Sequence, residues 1–209
     1  MPDDRNEFQF SPSVETLRQF LPYYLTGEQQ NRLAQELSDF DSKKPFYMIN
    51  TTLYQDEFLQ GDGWTKLMVA NLATGDRKSI QGILLSNSCD ISPENKRDLP
   101  TSVTFAPIVE VDQLKSWLAA SQLEPNKIDN KLRDIRDQNV SSIFYLPPGG
   151  PFTKEHVALL GQVHSMPIKM FQAALGRTKL FTLDTLGFYV FIVKLSIHFC
   201  RLRENVNRA

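Results

Sequence analysis

The stretch Gly82-Ile83-Leu84-Leu85-Ser86-Asn87-Ser88-Cys89-Asp90-Ile91 constrains the fold of this chain more than any other. A short apolar block bounded by turn-forming residues reads as a strand buried in a core. The abrupt change to small polar residues places Ser86, Asn87, Ser88, Cys89 and Asp90 at that strand's C-terminal rim. The residues before it support the same reading. Gly61-Asp62-Gly63 is a turn signal, Trp64 to Leu72 a strand, Thr74-Gly75-Asp76 a second turn, and Arg77 to Ser86 the returning strand of a β-hairpin. Met68, Ala70 and Leu72 alternate with Val69 and Asn71, so one face of the first strand is the more buried.

The rest of the chain alternates between the two periodicities. Ser11-Pro12 opens a helix with Leu17, Phe20, Leu21, Tyr24 and Leu25 on one face, broken near Pro22. Thr26-Gly27-Glu28-Gln29 resembles a capping box for a second helix carrying Leu33, Leu37 and Phe40. Ser42 to Pro45 is a linker, and Phe46 to Ile49 is too short to assign. Val103 to Val109 is a strand in which Pro107 marks an edge or a bulge. Asp112 is read as the cap of a helix with Leu114, Trp117 and Leu118. Lys127 to Asp137 gives a surface helix with Ile128, Leu132 and Ile135 inward. Ser142 to Leu146 is a strand ended by the Pro147-Pro148-Gly149-Gly150-Pro151 turn. His156 to His164 reads as one further strand. A short helix runs from Met166 to Leu175, Leu180 to Leu183 is extended, and Asp184 caps a last helix to about Arg203. That helix is apolar on nearly every face, which calls for burial on several sides.

The 209 residues include 41% hydrophobic and 22% charged side chains, enough for a core without disulfides or a metal. A formal net charge of -1 argues against broad attraction to nucleic acid. Cys89 and Cys200 form no disulfide framework, and with a start that lacks an apolar leader they point to the reducing cytoplasm. The longest apolar run near the C-terminus, Leu186 to Val193, falls short of the ~20 residues of a membrane span. No metal or cofactor is expected. His156 and His164, eight apart on one strand, would lie roughly 26 Å from each other, and no zinc or nucleotide motif is present. Cys89 is a candidate nucleophile only if the fold brings a histidine to it. The bland alternative is a small, half-buried residue at a strand end. Asp90 offers a general base or a cap over Ser92-Pro93.

Gly61-Asp62 before a strand, the strand ending Leu85-Ser86-Asn87, and Ala106-Pro107-Ile108 in a later strand together resemble the MazF/PemK group of toxins. The likeness covers about a quarter of the chain, Gly61 to Val109. Leu85-Ser86 followed by Cys89-Asp90-Ile91, and Tyr145-Leu146-Pro147, also resemble uncharacterised bacterial proteins that share those segments. The toxin resemblance implies a small SH3-like β-barrel. It also implies where ribonuclease residues would stand: the family's arginine position falls on Ile80 and its threonine position on Val109. Arg77 or Lys78, with Ser86 or Asp90, would have to substitute.

The expected fold is α+β: a single domain in which residues 43–165 form an SH3-like barrel with a helical insertion at 112–140. A helical hairpin over 1–42 and helices over 166–209 surround it. The expected function is a non-catalytic protein-binding accessory module in a bacterial toxin–antitoxin or anti-phage system, CRISPR-associated systems included. Ser86, Asn87, Ser88, Asp90, Lys96 and Arg97 would form its binding surface and another protein would be its partner. The alternative is a PemK-like endoribonuclease acting on RNA, with candidate catalytic residues Arg77, Lys78, Ser86, Cys89 and Asp90. A third reading is a hydrolase dependent on Cys89.

Overall fold

In the computed structural model, residues 46–48, 54–71, 73–95 and 98–200 are described, the side chain of Cys200 excepted. The N-terminal hairpin read at 1–42 and the arginines beyond residue 200 lie outside them. The described chain is α+β. Its strands are β1 (Gly63–Ala70), β2 (Arg77–Leu84), β3 (Ser102–Glu110), β4 (Ile143–Leu146), β5 (His156–Leu159), β6 (His164–Pro167) and β7 (Lys179–Phe181). Its helices are α1 (Ser88–Ile91), α2 (Val111–Ala120), α3 (Pro125–Arg136), α4 (Ile168–Ala173) and α5 (Thr185–Cys200). The strands make one antiparallel sheet in the order β4-β5-β3-β2-β1-β7, with β6 also paired to β3. No ladder joins β6 to β7 among the described residues, so the sheet does not close into a barrel by strand pairing. No helix among them is long and apolar enough to cross a membrane.

The β1–β2 hairpin forms where the sequence places it, with Gly75 at φ 75° in the turn donating its N–H to the Asn71 carbonyl (2.7 Å), while the Asn71 N–H donates to the Asp76 carbonyl (2.8 Å). In the second half of β1, Leu67 and Val69 are buried, while Met68 and Ala70 face out. A bulge sets that phase. Thr65 and Lys66 together oppose one residue of β2, and Lys66 takes a φ of 53°. Such an insertion sharpens strand twist, and it turns the hairpin over a core of Leu67, Ile80, Val103, Phe105, Met166 and Phe171. Gly82 sits at a tight point of the hairpin. A Cβ there would lie 2.7 Å from Leu67 Cδ1 and 2.8 Å from the Ala106 carbonyl oxygen.

β3 is the central strand, not an edge. It pairs with β2 on one side, and on the other with β6 over its first half and β5 over its second. The expected single strand from His156 to His164 is two strands. Between them the register against β3 slips by three residues, and Leu160 drops fully buried into the core. Ala106 and Pro107 face this slip. Pro107 pairs in register with Gly82 of β2, so it lies neither on an edge nor at a bulge of that ladder; its missing donor falls where β5 and β6 leave a gap on the other side.

The segment after β3 adds a second layer. α2 begins at Val111, and its cap residue is Glu110, without a side-chain cap bond. Asp112 instead lies in the first turn, where its charge suits the helix dipole. α3 buries Ile128, Leu132 and Ile135 against Tyr145, Val157 and Val109. β4 is an outer strand, yet its edge is covered. Gln138, at φ 59°, donates from Nε2 to the Tyr145 carbonyl (2.9 Å) and accepts the Tyr145 N–H at Oε1 (3.1 Å). A side-chain amide thus takes the place of a neighbouring strand, one device by which sheets avoid open edges. Asp184 caps α5 by accepting the Gly187 N–H at 2.7 Å. Leu186, Val190, Phe191 and Val193 of α5 are buried. So is Lys194, which lies beyond the apolar run. Its Nζ donates to the carbonyls of Gln138 (2.8 Å) and Val140, tying α5 to the end of α3.

Candidate functional site

The polar cluster after β2 folds back on itself. Ser86 Oγ accepts the Thr104 N–H at 2.7 Å and shares a hydrogen bond with Thr104 Oγ1 at 2.7 Å, which fastens the chain to β3. Asn87 is extended, and its side-chain oxygen accepts the Cys89 N–H at 2.9 Å, capping the four-residue α1. Ser88 Oγ accepts the Gln60 N–H at 2.8 Å, and Gln60 Nε2 reaches the Leu85 carbonyl at 2.8 Å. Three of the five polar residues named at this rim are therefore committed to shaping the turn. The Ser92 hydroxyl accepts the Glu94 N–H at 3.3 Å in the following turn.

Ser86 and Asp90 line a cavity of about 650 Å³ together with Asp98, Thr101, Ser102 and Thr104. Leu99, 78% exposed, stands at its wall. Two carboxylates and a set of hydroxyls line this cavity. Lys96 and Arg97 lie outside the described residues.

The other candidates are not gathered at this cavity. Arg77 and Lys78 are exposed at the N-terminal end of β2, whereas the rim residues follow its C-terminal end. Ile80 is half-buried and packs under the hairpin, and Val109 packs against the α2–α3 layer. Cys89 is exposed on α1, not half-buried as the strand-end reading has it. His156 and His164 sit on different strands, each taken up by an aromatic ring. His156 stacks on Phe152 at 3.9 Å between centroids, and His164 on Phe105 at 5.8 Å. Partial burial and the Lys78 charge hold His164 below the ordinary histidine range.

Two buried charges escaped the sequence reading. Asp62 is fully buried and accepts from Lys179 Nζ (2.8 Å), the Leu59 N–H (2.9 Å) and Thr182 Oγ1 (2.8 Å). Burial pushes its carboxyl upward, while the Lys179 ammonium and these donors pull it back. Gly61-Asp62 is thus more than a turn: it joins β1 to the stretch around β7. Lys194 is the second, with burial lowering its ammonium to about 7. The only signals in the sequence were an aspartate between two glycines and a lysine inside an apolar helix. No protein-family model matches the chain, and no curated protein matches it.

Proposed function

We propose that this chain is a non-catalytic protein-binding module built on an SH3-like scaffold of the toxin type, serving as an accessory subunit in a bacterial toxin–antitoxin or anti-phage system. The strand sequence β7-β1-β2-β3-β6, with the short α4 before the last-paired strand, supports the SH3-like reading. It is a five-strand meander whose two ends are bridged by a helical turn instead of a ladder. The observation that carries the functional reading is the fate of the two family positions. Ile80 and Val109 both pack into apolar clusters, where neither a cation nor a hydroxyl serves a reaction. Cleavage by 2′-hydroxyl attack needs a base together with charge stabilisation of the phosphorane. Arg77 and Lys78 stand at the far end of β2 from Asp90. The acidic cavity at the rim favours a basic protein segment as the bound group.

The test combines capture and cleavage. Tagged protein is recovered from its host with and without ribonuclease, and the purified chain is incubated with RNA. A stoichiometric protein partner that survives ribonuclease and is lost on Asp90→Lys or Asp98→Lys supports the module. RNA cleavage that disappears on Arg77→Ala or Lys78→Ala overturns it in favour of the endoribonuclease reading.

A further inference from the structure

A second cavity, of about 610 Å³, opens beside β7 and shares no residue with the rim of β2. Its volume lies within the range of small-molecule pockets. Phe58, Trp64 and Phe181 give it aromatic walls, and Arg177 and Lys179 bring two cations to it. Asp56 is the one carboxylate among its lining residues, and it is exposed.

The two cations differ in how they are compensated. Lys179 is neutralised: its Nζ lies 2.8 Å from the buried Asp62 carboxylate and donates to the Tyr54 carbonyl at 2.6 Å. Arg177 is not. Its guanidinium lies 4.4 Å over the Phe171 ring and donates to the backbone carbonyls of Lys66 (3.1 Å) and Met170 (3.5 Å). Among the described residues it has no carboxylate partner. Its Nε is buried without an acceptor, as is Nε1 of Trp64 in the adjoining wall. A partly buried cation without a counter-charge is costly, and burial accordingly lowers the Arg177 pKa. An anion in the cavity would supply the missing charge, while the rings would cover an apolar body.

We propose that this cavity binds an aromatic monocarboxylate, with Arg177 pairing with the carboxylate and Phe58, Trp64 and Phe181 enclosing the ring. A single negative charge matches the single uncompensated cation, and Asp56 disfavours a polyanion. This site is independent of the protein-binding reading.

The probe is 2-naphthoate, titrated into the full chain by calorimetry beside 2-naphthamide, acetate and inorganic phosphate. A charged hydrogen bond is worth enough to separate the acid from its neutral amide by about 10-fold or more. Naphthoate is expected to bind saturably, with naphthamide, acetate and phosphate each at least about 10-fold weaker. Arg177→Gln removes the preference for the acid over the amide. Gln55→Trp, at an exposed position of the cavity lining, blocks both without disturbing the far-ultraviolet dichroism. Equal binding of acid and amide, phosphate binding as tightly as naphthoate, or no saturable heat with naphthoate overturns the proposal. So does undiminished binding in a folded Gln55→Trp variant, which keeps the test decisive if Arg177→Gln fails to fold.

Discussion

Lys194→Met is the substitution whose outcome depends most directly on a buried charge. Lys194 is 1% exposed, has among the described residues only the carbonyls of Gln138 and Val140 as partners, and is lowered by burial to about 7. In the unfolded chain a lysine titrates near 10.4. Between those values the unfolded state holds the extra proton, so stability rises with pH across the window. Because the folded lysine is already half deprotonated at pH 7, the gain from pH 7 to pH 9 is about 2.3 kcal/mol, the slope approaching about 1.36 kcal/mol per unit above pH 8. That window lies above the titration of His164, which is lowered, and below that of Tyr47 and Tyr145, which burial raises. Urea denaturation followed by tryptophan fluorescence at pH 7, 8 and 9 gives the slope. The wild type is expected to climb by about 2–3 kcal/mol and Lys194→Met to stay flat. At pH 7 the variant gains from losing the desolvated ammonium and loses two carbonyl contacts, so its absolute stability is less informative than the slope. Equal slopes in the two proteins would refute the reasoning.

Gly82→Ala places a methyl group against Leu67 and the Ala106 carbonyl, and is expected to cost about 1–3 kcal/mol in the same denaturation assay. Glu155 is held below the ordinary carboxylate range chiefly by its paired hydrogen bonds to Arg136, at 2.7 and 2.8 Å. Its contribution is present above the unfolded glutamate value near 4.3 and lost as pH falls through the depressed one. A pH titration of unfolding between 5 and 2 should therefore show a shallower acid loss in Glu155→Gln. Gln138→Ala uncovers the Tyr145 N–H and carbonyl on β4, and light scattering should then detect association that the wild type does not show.

The hairpin, β3, β4 and α3 were legible because each carries its period and its turn residues within one short window. The division of β5 from β6 was not. Leu160-Gly161-Gln162-Val163 contains one weak breaker, and the slip arises from pairing with β3, about fifty residues earlier in the chain. The rim after β2 was correctly located, but its roles were not separable. The bonds that commit Ser86 and Ser88 come from Thr104 and Gln60, which lie 18 and 28 residues away. Asp62 and Lys179 are more distant still, so nothing in the turn signal at Gly61 or the run near Leu180 announces their pairing. Arg177 escaped notice for the same reason. Periodicity shows which face of an element is apolar. It does not show which polar residue that face must accommodate.

The α2–α3 layer and the residue at position 109 depend on each other. Val109 follows the Ala106-Pro107-Ile108 segment on β3, and its side chain packs in the cluster formed with Val111, Leu132 and Val157. A threonine there would bring a hydroxyl into that cluster, at about 1–3 kcal/mol if left without a partner. Val109 is partly buried by this second layer on β3. Ile80 likewise supports the bend of the hairpin from the other cluster. Both positions are thus taken up by packing within the described residues.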